Sequence, residues 1–265
     1  MRLLLICGDH PRHRFIANLL IEKKLLTSLI IEERESFKPT INTNYSKKIN
    51  QLHDLHFRKR EDAELEIFGN NKLKFKNTLT IKSNEINTTL CHNFVIKEKP
   101  DVVITCGCGI LTNKTIDIFP KETWNIHGGL SPWFKGAITH FWPSYFLKPQ
   151  YTGVTIHYIT KKIDAGNIIH QTPAVLEEDD GLHQLSSKSL KLGFLSIVDL
   201  LEKYKVNGKI NSINQKSTGK LWLKKDWKPE HLILIYEKFN DKIVNMYLSK
   251  TISQEKPNIY NNFNQ

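Results

Sequence analysis

The sequence predicts an α/β protein with a doubly wound, mostly parallel and partly mixed sheet, followed by a small C-terminal extension. Three observations predict it. RLLLIC (2–7) and DVVITC (101–106) are continuous apolar runs of strand length, as expected of strands buried on both faces. Helical-period segments alternate with such runs in the first half, the pattern of parallel βαβ units. In the second half GVTIHYI (153–159) and NIIHQTPAV (167–175) follow one another closely, so the sheet there becomes mixed.

The elements follow in order. After the strand at 2–7, Pro11 suits the first turn of a helix, and Phe15, Ile16, Leu19 and Leu20 keep helical spacing behind it. SLIIEE (28–33) is a second strand, and 34–45 is polar and irregular. Residues 46–68 form a long polar helix stopped by Gly69. Ser83 caps a helix running to about Lys97, which Pro100 ends. The strand at 101–106 leads into the Gly-containing turn CGCGIL (106–111), and TWNIH (123–127) is the next strand. After the two closely spaced strands comes a helix over 183–204. Residues 1–205 are expected to form one domain and 206–265 an extension. In the extension, 219–229 reads as strand then turn. Leu232, Ile235, Tyr236, Phe239, Ile243, Met246 and Tyr247 place an apolar stripe along a helix at 231–248. That stripe packs on the main domain or on a second subunit in a homodimer, and the Asn-rich end is expected to fray.

Composition excludes several function classes. The chain has 265 residues, 40% hydrophobic and 25% charged, with a mean hydropathy of -0.38, ordinary for a soluble protein. No apolar run approaches the ~20 residues of a membrane span. The opening MRLLLICGDHP is too short for a signal peptide, which places the protein in the cytoplasm. Cys7, Cys91, Cys106 and Cys108 lie in or beside apolar segments and read as reduced, buried thiols. Cys106 and Cys108 have no second pair at zinc spacing, so no metal is expected. The net charge of +11 favours an acidic or phosphate-bearing partner. No dominant basic block or RNA-binding signature points to nucleic acid, and no G-x-G-x-x-G supports a dinucleotide.

In open α/β sheets ligands sit beyond the carboxyl ends of the strands. Asn125 and His127 leave a strand there and run into the loop GGLSPWFKG, and CGCGIL leaves another. His157 lies in the strand TIHY, and Asp164 in the turn KKIDAGNII. An amide, an imidazole and a carboxylate together suit acyl transfer to an amine. The imidazole takes the amine proton, the amide stabilises the oxyanion, and the carboxylate orients the ring. Taken singly, each residue also has an ordinary structural explanation, as a satisfied core histidine or a turn aspartate.

NIHGGLSPWFKG followed by TGVTIHYITKKIDAGNIIHQ resembles the signature of the folate-dependent formyltransferases, strongly over about 100–175 and more weakly over 1–35. The resemblance implies a Rossmann-like formyltransferase fold, N10-formyltetrahydrofolate as donor and a primary amine as acceptor. It places the catalytic residues at Asn125, His127 and Asp164, with His157 on the following strand. It implies that the pterin lies against backbone of Cys106, Gly107, Cys108, Gly109, Ile110 and Leu111, with Ala165 and Gly166 closing the other side. CGCG departs from the bulky residue often found in that loop. Around the signature the chain is most similar to bacterial enzymes that formylate nucleotide-linked (dTDP- or UDP-) amino sugars for surface polysaccharide. The expected acceptor is thus a 4-amino-4,6-dideoxy sugar, with His10, Arg12, Arg60, Trp133 and Lys135 joining His157 as its contacts. Two other readings stand beside it: the same chemistry on glycinamide ribonucleotide or an aminoacyl-tRNA, and a non-catalytic folate-binding regulator.

Overall fold

The computed structural model describes residues 1–33, 39, 44–215 and 219–264, so most of the irregular stretch expected at 34–45 lies outside the described residues. In chain order the elements begin β1 (Leu3–Gly8), α1 (Pro11–Glu22), β2 (Leu26–Glu33), α2 (Lys47–Phe68) and β3 (Thr78–Lys82). They continue with α3 (Thr89–Glu98), β4 (Val102–Cys106), α4 (Asn113–Asp117), β5 (Glu122–His127), β6 (Lys135–Gly136) and α5 (Trp142–Tyr145). The last are β7 (Gly153–Tyr158), β8 (Ile168–Pro173), α6 (Leu182–Asn207), β9 (Leu221–Trp222) and α7 (Ile243–Leu248).

The main sheet has seven strands in the order β3-β2-β1-β4-β5-β7-β8. β3, β2, β1, β4 and β5 run parallel, and β7 pairs antiparallel with β5 on one side and β8 on the other, which makes the sheet mostly parallel and partly mixed. The chain winds outward from β1 to β3, then crosses back to place β4 on the other side of β1. The β1–β4 boundary is therefore the topological switch point, where such sheets leave a crevice.

Successive strand side chains point to opposite faces, so each strand serves two layers. Leu3, Leu5, Ile104, Trp124 and Ile126 pack on one side with Ile16 and Leu20 of α1 and Phe194, Ile197 and Leu201 of α6. Leu4, Ile6 and Val103 pack on the other with Ile86, Cys91 and Val95, beside and within α3. Trp124 and Ile126 are committed to the α6 side, so Asn125 and His127 face away from it.

Local chemistry explains several boundaries. Ser46 caps α2 by accepting from the Ile49 amide at 3.3 Å, and Gly69 (φ 69°) ends it. Gly208 ends α6 in the left-handed conformation, φ 65°. The helix expected from Ser83 starts later. Asn84 takes a left-handed φ of 70°, its N–H donates to Glu32 Oε1 at 2.9 Å, and a 3-10 turn intervenes before α3. In the extension, the single helix expected over 231–248 is broken. A π-helical segment, Ile233–Lys238, precedes α7, and between them Asn240 (φ 48°) and Asp241 (φ 58°) reverse the chain. Its apolar stripe packs within the chain, where Leu232, Ile235, Tyr236 and Ile243 join Ile49 and Leu52 of α2 with Phe134, Phe141 and Trp142. Of the end expected to fray, Gln265 lies outside the described residues, whereas Asn262 is docked. Asn262 is fully buried, with its side chain donating to Ile169 O at 2.9 Å and Asn211 O at 2.8 Å. Among the described residues, no helix is long and apolar enough to cross a membrane.

Candidate functional site

The site is built on three neighbouring strands. β4 places Thr105 opposite Asn125 of β5, and β7 places His157 opposite Asn125 on the other side. His127, two residues along, shares the face of Asn125. Asp164 does not come from a strand end. The chain leaves β7 beside Trp124, far from His127 along β5, and folds back over the sheet to bring the carboxylate to both histidines. Asp164 itself sits at φ 47°, a left-handed conformation that Asp tolerates better than most residues.

Hydrogen bonds fix the orientation of each group. Thr105 Oγ1 donates to Asn125 Oδ1 at 2.8 Å, which sets the amide with nitrogen toward His157 Nε2, 3.2 Å away. His157 Nδ1 lies 2.9 Å from Tyr158 O; a carbonyl only accepts, so Nδ1 carries the hydrogen and Nε2 receives the Asn125 amide. An amide nitrogen has two hydrogens, and the second remains for another acceptor. His127 Nε2 lies 2.8 Å from Phe134 O, so the hydrogen of the neutral ring is on Nε2 and its basic atom is Nδ1. That Nδ1 is 3.5 Å from Asp164 Oδ2, while Asp164 Oδ1 is 3.4 Å from His157 Nε2. Gly136 N–H donates to Asp164 Oδ2 at 2.7 Å.

Burial alone would raise the Asp164 carboxyl pKa and is the largest single influence on it. When the two imidazoles are protonated, the positive charge of His127, the hydrogen bond and charge of His157, and the Gly136 N–H together outweigh it and hold the carboxyl well below its usual range. Asp164 is thus a fixed anion between two imidazoles.

The loop after β4 is tied down from below. Glu32, fully buried at the end of β2, accepts the Gly109 N–H, and Asn87 Nδ2 donates to Ile110 O at 2.9 Å. Two backbone groups of this loop are therefore already committed. Gly107 holds φ 64°, and a Cβ there would come within 2.5 Å of His13 Nε2. Gly107 thus answers to packing against α1, and Cys106 is buried. The Ile110 side chain stands 77% exposed over the loop, and Cys108 and Leu111 are half-buried. On the Asp164 side, a Cβ at Gly166 would meet Tyr158 O at 1.8 Å, so this turn passes too close to β7 for any other residue; Ala165 lies between the two.

The residues expected at the acceptor divide into two groups. His157 belongs to the site itself. Lys135 is on β6, next to the Gly136 that holds Asp164, and Trp133 packs edge-on against Tyr151 with centroids 5.5 Å apart. His10, Arg12 and Arg60 form a separate cluster. Arg12 pairs with Glu64, Arg60 Nε lies 3.2 Å from the same Glu64 oxygen, and Arg12 Nη1 is 3.4 Å from His10 Nδ1. Two guanidiniums on one carboxylate leave a net positive charge. Burial, and then the neighbouring Arg12, hold the Arg60 pKa down to about 10 against the pull of Glu64. His140 connects the groups: a Cβ on Gly128, next to His127, would lie 3.1 Å from its ring. Burial pushes the His140 pKa down to about 4 despite its bond to Gly153 O at 2.8 Å, and the charges of His127, Arg12 and Arg60 act in the same direction.

Sequence reasoning missed Thr105 and Gln215. Thr105 could have been found as a polar residue interrupting the apolar run DVVITC, one residue before its end. Gln215, in a polar connector, carries no such signal. Among the described residues, no group of three His, Cys, Asp or Glu side chains could hold a metal ion.

Comparison with known proteins gives the lineage. A family model described as formyl transferase matches residues 49–200, more than half of the chain. The chain is 29% identical over 175 residues to a methionyl-tRNA formyltransferase of Buchnera aphidicola subsp. Acyrthosiphon pisum (strain Tuc7), covering 62% of this chain and 55% of that protein. It therefore spans about half the length of the curated relatives it matches. The fold is similar to the structure of a sugar N-formyltransferase from Shewanella sp FDAARGOS_354, with a TM-score of 0.56 and 18% identity, covering 85% of this chain and 78% of that one. A formyltransferase from Anoxybacillus kamchatkensis, in complex with UDP-4,6-dideoxy-4-formamido-L-AltNAc and tetrahydrofolate, is similar with a TM-score of 0.50 and 19% identity over 92% of this chain and 96% of that one. Because that family model covers more than half of the chain, and the fold is similar to solved formyltransferases, the chain belongs to the formyl transferase family.

Proposed function

We propose that this chain moves a formyl group from N10-formyltetrahydrofolate to the primary amine of a nucleotide-linked amino sugar, a 4-amino-4,6-dideoxy sugar destined for surface polysaccharide. The observation that carries the transfer chemistry is the convergence of Asn125, His127, His157 and Asp164 within hydrogen-bonding or ion-pairing reach on one sheet face. The amine nitrogen bonds to the formyl carbon and becomes acidic as it does so. Its proton goes to Nδ1 of His127, the basic atom left by the Phe134 carbonyl, and the resulting imidazolium faces Asp164. The second hydrogen of Asn125 Nδ2 stabilises the oxyanion, while Thr105 and His157 keep the amide from turning. The departing N10 takes up a proton, and His127 returns to neutral.

The residues present fit a folate donor. The exposed Ile110 offers apolar surface to a flat ring, and Gly107, Cys108 and Leu111 supply backbone beside the two groups already taken by Glu32 and Asn87. The donor supplies the activated formyl group, and the protein supplies orientation and a place for the proton. Two things support a sugar nucleotide as acceptor. The Arg12–Arg60–Glu64 cluster retains a positive charge suited to a diphosphate. The solved relatives named above include a sugar N-formyltransferase and a complex with a formamido sugar nucleotide.

A second reading, formylation of methionyl-tRNA, is favoured by the curated relative from Buchnera, which bears that name. Incubation with labelled formyl donor and a panel of dTDP- and UDP-linked amino sugars, glycinamide ribonucleotide and methionyl-tRNA separates the two. Label on an amino sugar alone supports the proposal, and label on methionyl-tRNA alone overturns the acceptor assignment. Label on none of the panel, with donor still bound, favours a folate-binding regulator.

A further inference from the structure

The Asp164 turn is held from two sides by the segment that follows α6. Ile213 bridges to Ile168 of β8 with paired backbone bonds of 2.8 and 2.9 Å, and this places Gln215 beneath the turn. Gln215 Nε2 then donates to Asp164 O at 2.9 Å and to Gly166 O at 2.7 Å. On the side-chain side, the Gly136 N–H that holds the carboxylate lies on β6, which is itself held by β9. Ala137 N donates to Trp222 O at 2.8 Å, and a Cβ on Gly136 would lie 2.1 Å from that oxygen.

A non-glycine residue in the left-handed region persists only where its surroundings over-determine it. At Asp164 a single amide satisfies the carbonyls on both sides of Ala165, which fixes the turn without touching the reacting groups. We propose that Gln215 is a positioning residue for the reaction: its amide holds the Asp164 turn in the conformation that presents the carboxylate to His127 and His157. This rests on the formyl-transfer reading above, in which Asp164 stabilises the proton taken by His127.

The test is a double-mutant cycle in formyl transfer with Gln215→Leu, Asp164→Asn and the pair. Leu keeps much of the volume and removes both donated bonds. Gln215→Leu is expected to lower kcat roughly 10-fold, the scale of losing a buried hydrogen bond and stranding its acceptors, with little change in donor KM. If Gln215 acts through Asp164, the double variant is no slower than Asp164→Asn alone. Multiplied losses in the double variant, or an unchanged kcat in Gln215→Leu, overturn the inference. If Asp164→Asn retains the wild-type kcat, the reading of the site fails instead, which keeps the two failures apart. Gln215→Met is used if the Leu variant does not fold. If neither unfolds cooperatively, the amide serves the fold as a whole and the positioning role is overturned.

Discussion

Acidification will loosen the end of the chain through His170. This imidazole on β8 is 3% exposed, and its Nδ1 accepts the Asn262 N–H at 3.1 Å. Lys203 Nζ donates to Asn262 O at 2.7 Å and to its Oδ1 at 2.8 Å, which puts an ammonium beside the ring. Protonation at Nδ1 would set N–H against N–H and add a second buried cation. Burial first, and the Lys203 charge second, hold the His170 pKa down to about 4. The unfolded chain takes up this proton near pH 6.5, whereas the folded protein resists until about pH 4. The stabilisation is therefore complete above 6.5 and falls away as the pH drops toward 4. Linkage gives a loss of about 1.8 kcal/mol from this one group between pH 7 and pH 5. Urea unfolding of the wild type and of His170→Gln at both pH values measures it. Other buried histidines, His56 and His140 among them, titrate in both proteins, so the difference in slope isolates His170. The variant is expected to lose about 1.8 kcal/mol less than the wild type over that interval. Equal losses in the two proteins would refute the reasoning.

Three further outcomes follow from the site and the core. Asn125→Ala removes the proposed oxyanion donor and is expected to cost about 2.7–4 kcal/mol in transition-state stabilisation, read from kcat/KM. Thr105→Val, which only releases the amide orientation, is expected to cost less, and a larger loss than that of Asn125→Ala would argue against this order. Truncation before Gly219 strips Trp222, Leu232, Ile235, Tyr236 and Ile243 from the second core cluster. Each such loss costs about 2–5 kcal/mol in other cores, so the shortened chain should fail to unfold cooperatively, and a fully stable fragment would contradict this. Formyl transfer is expected to continue unchanged in EDTA, whereas activity lost to the chelator and restored by zinc would overturn the metal-free reading.

Much of the sheet was legible because strands buried on both faces must be apolar throughout. β1 and β4 are such strands, and their runs stand out. β3 was not, because Thr78–Lys82 is a short edge strand with only Ile81 buried. α2 was legible in length, since Ser46 and Gly69 mark its ends, but not in role. His53, His56, Phe57 and Glu64 are buried, and Arg60 folds onto Glu64. Its partners, Arg12, Phe141 and Tyr236, are distant in sequence, so no local pattern announces them. The extension gave away its apolar stripe but not its break, because periodicity does not report the left-handed turn at Asn240 and Asp241. The docked end was missed for a similar reason: Asn262 reads as loop composition, yet it meets backbone carbonyls of Ile169 and Asn211. Asn125, His127 and Asp164 were visible as a motif, whereas Thr105 and Gln215 act through contacts that only the fold creates.

The most direct test of the account is single-turnover formyl transfer by His127→Asn, with donor affinity measured on the same preparation. His127 is held at Nε2 by Phe134 O, which leaves Nδ1 to take the amine proton, and Asp164 Oδ2, 3.5 Å from Nδ1, faces the imidazolium that forms. The account predicts a rate lower by roughly 10²–10⁴, the range for a positioned acid or base, with donor affinity little changed. A wild-type rate combined with weakened donor binding would make His127 a contact residue and would contradict the mechanism.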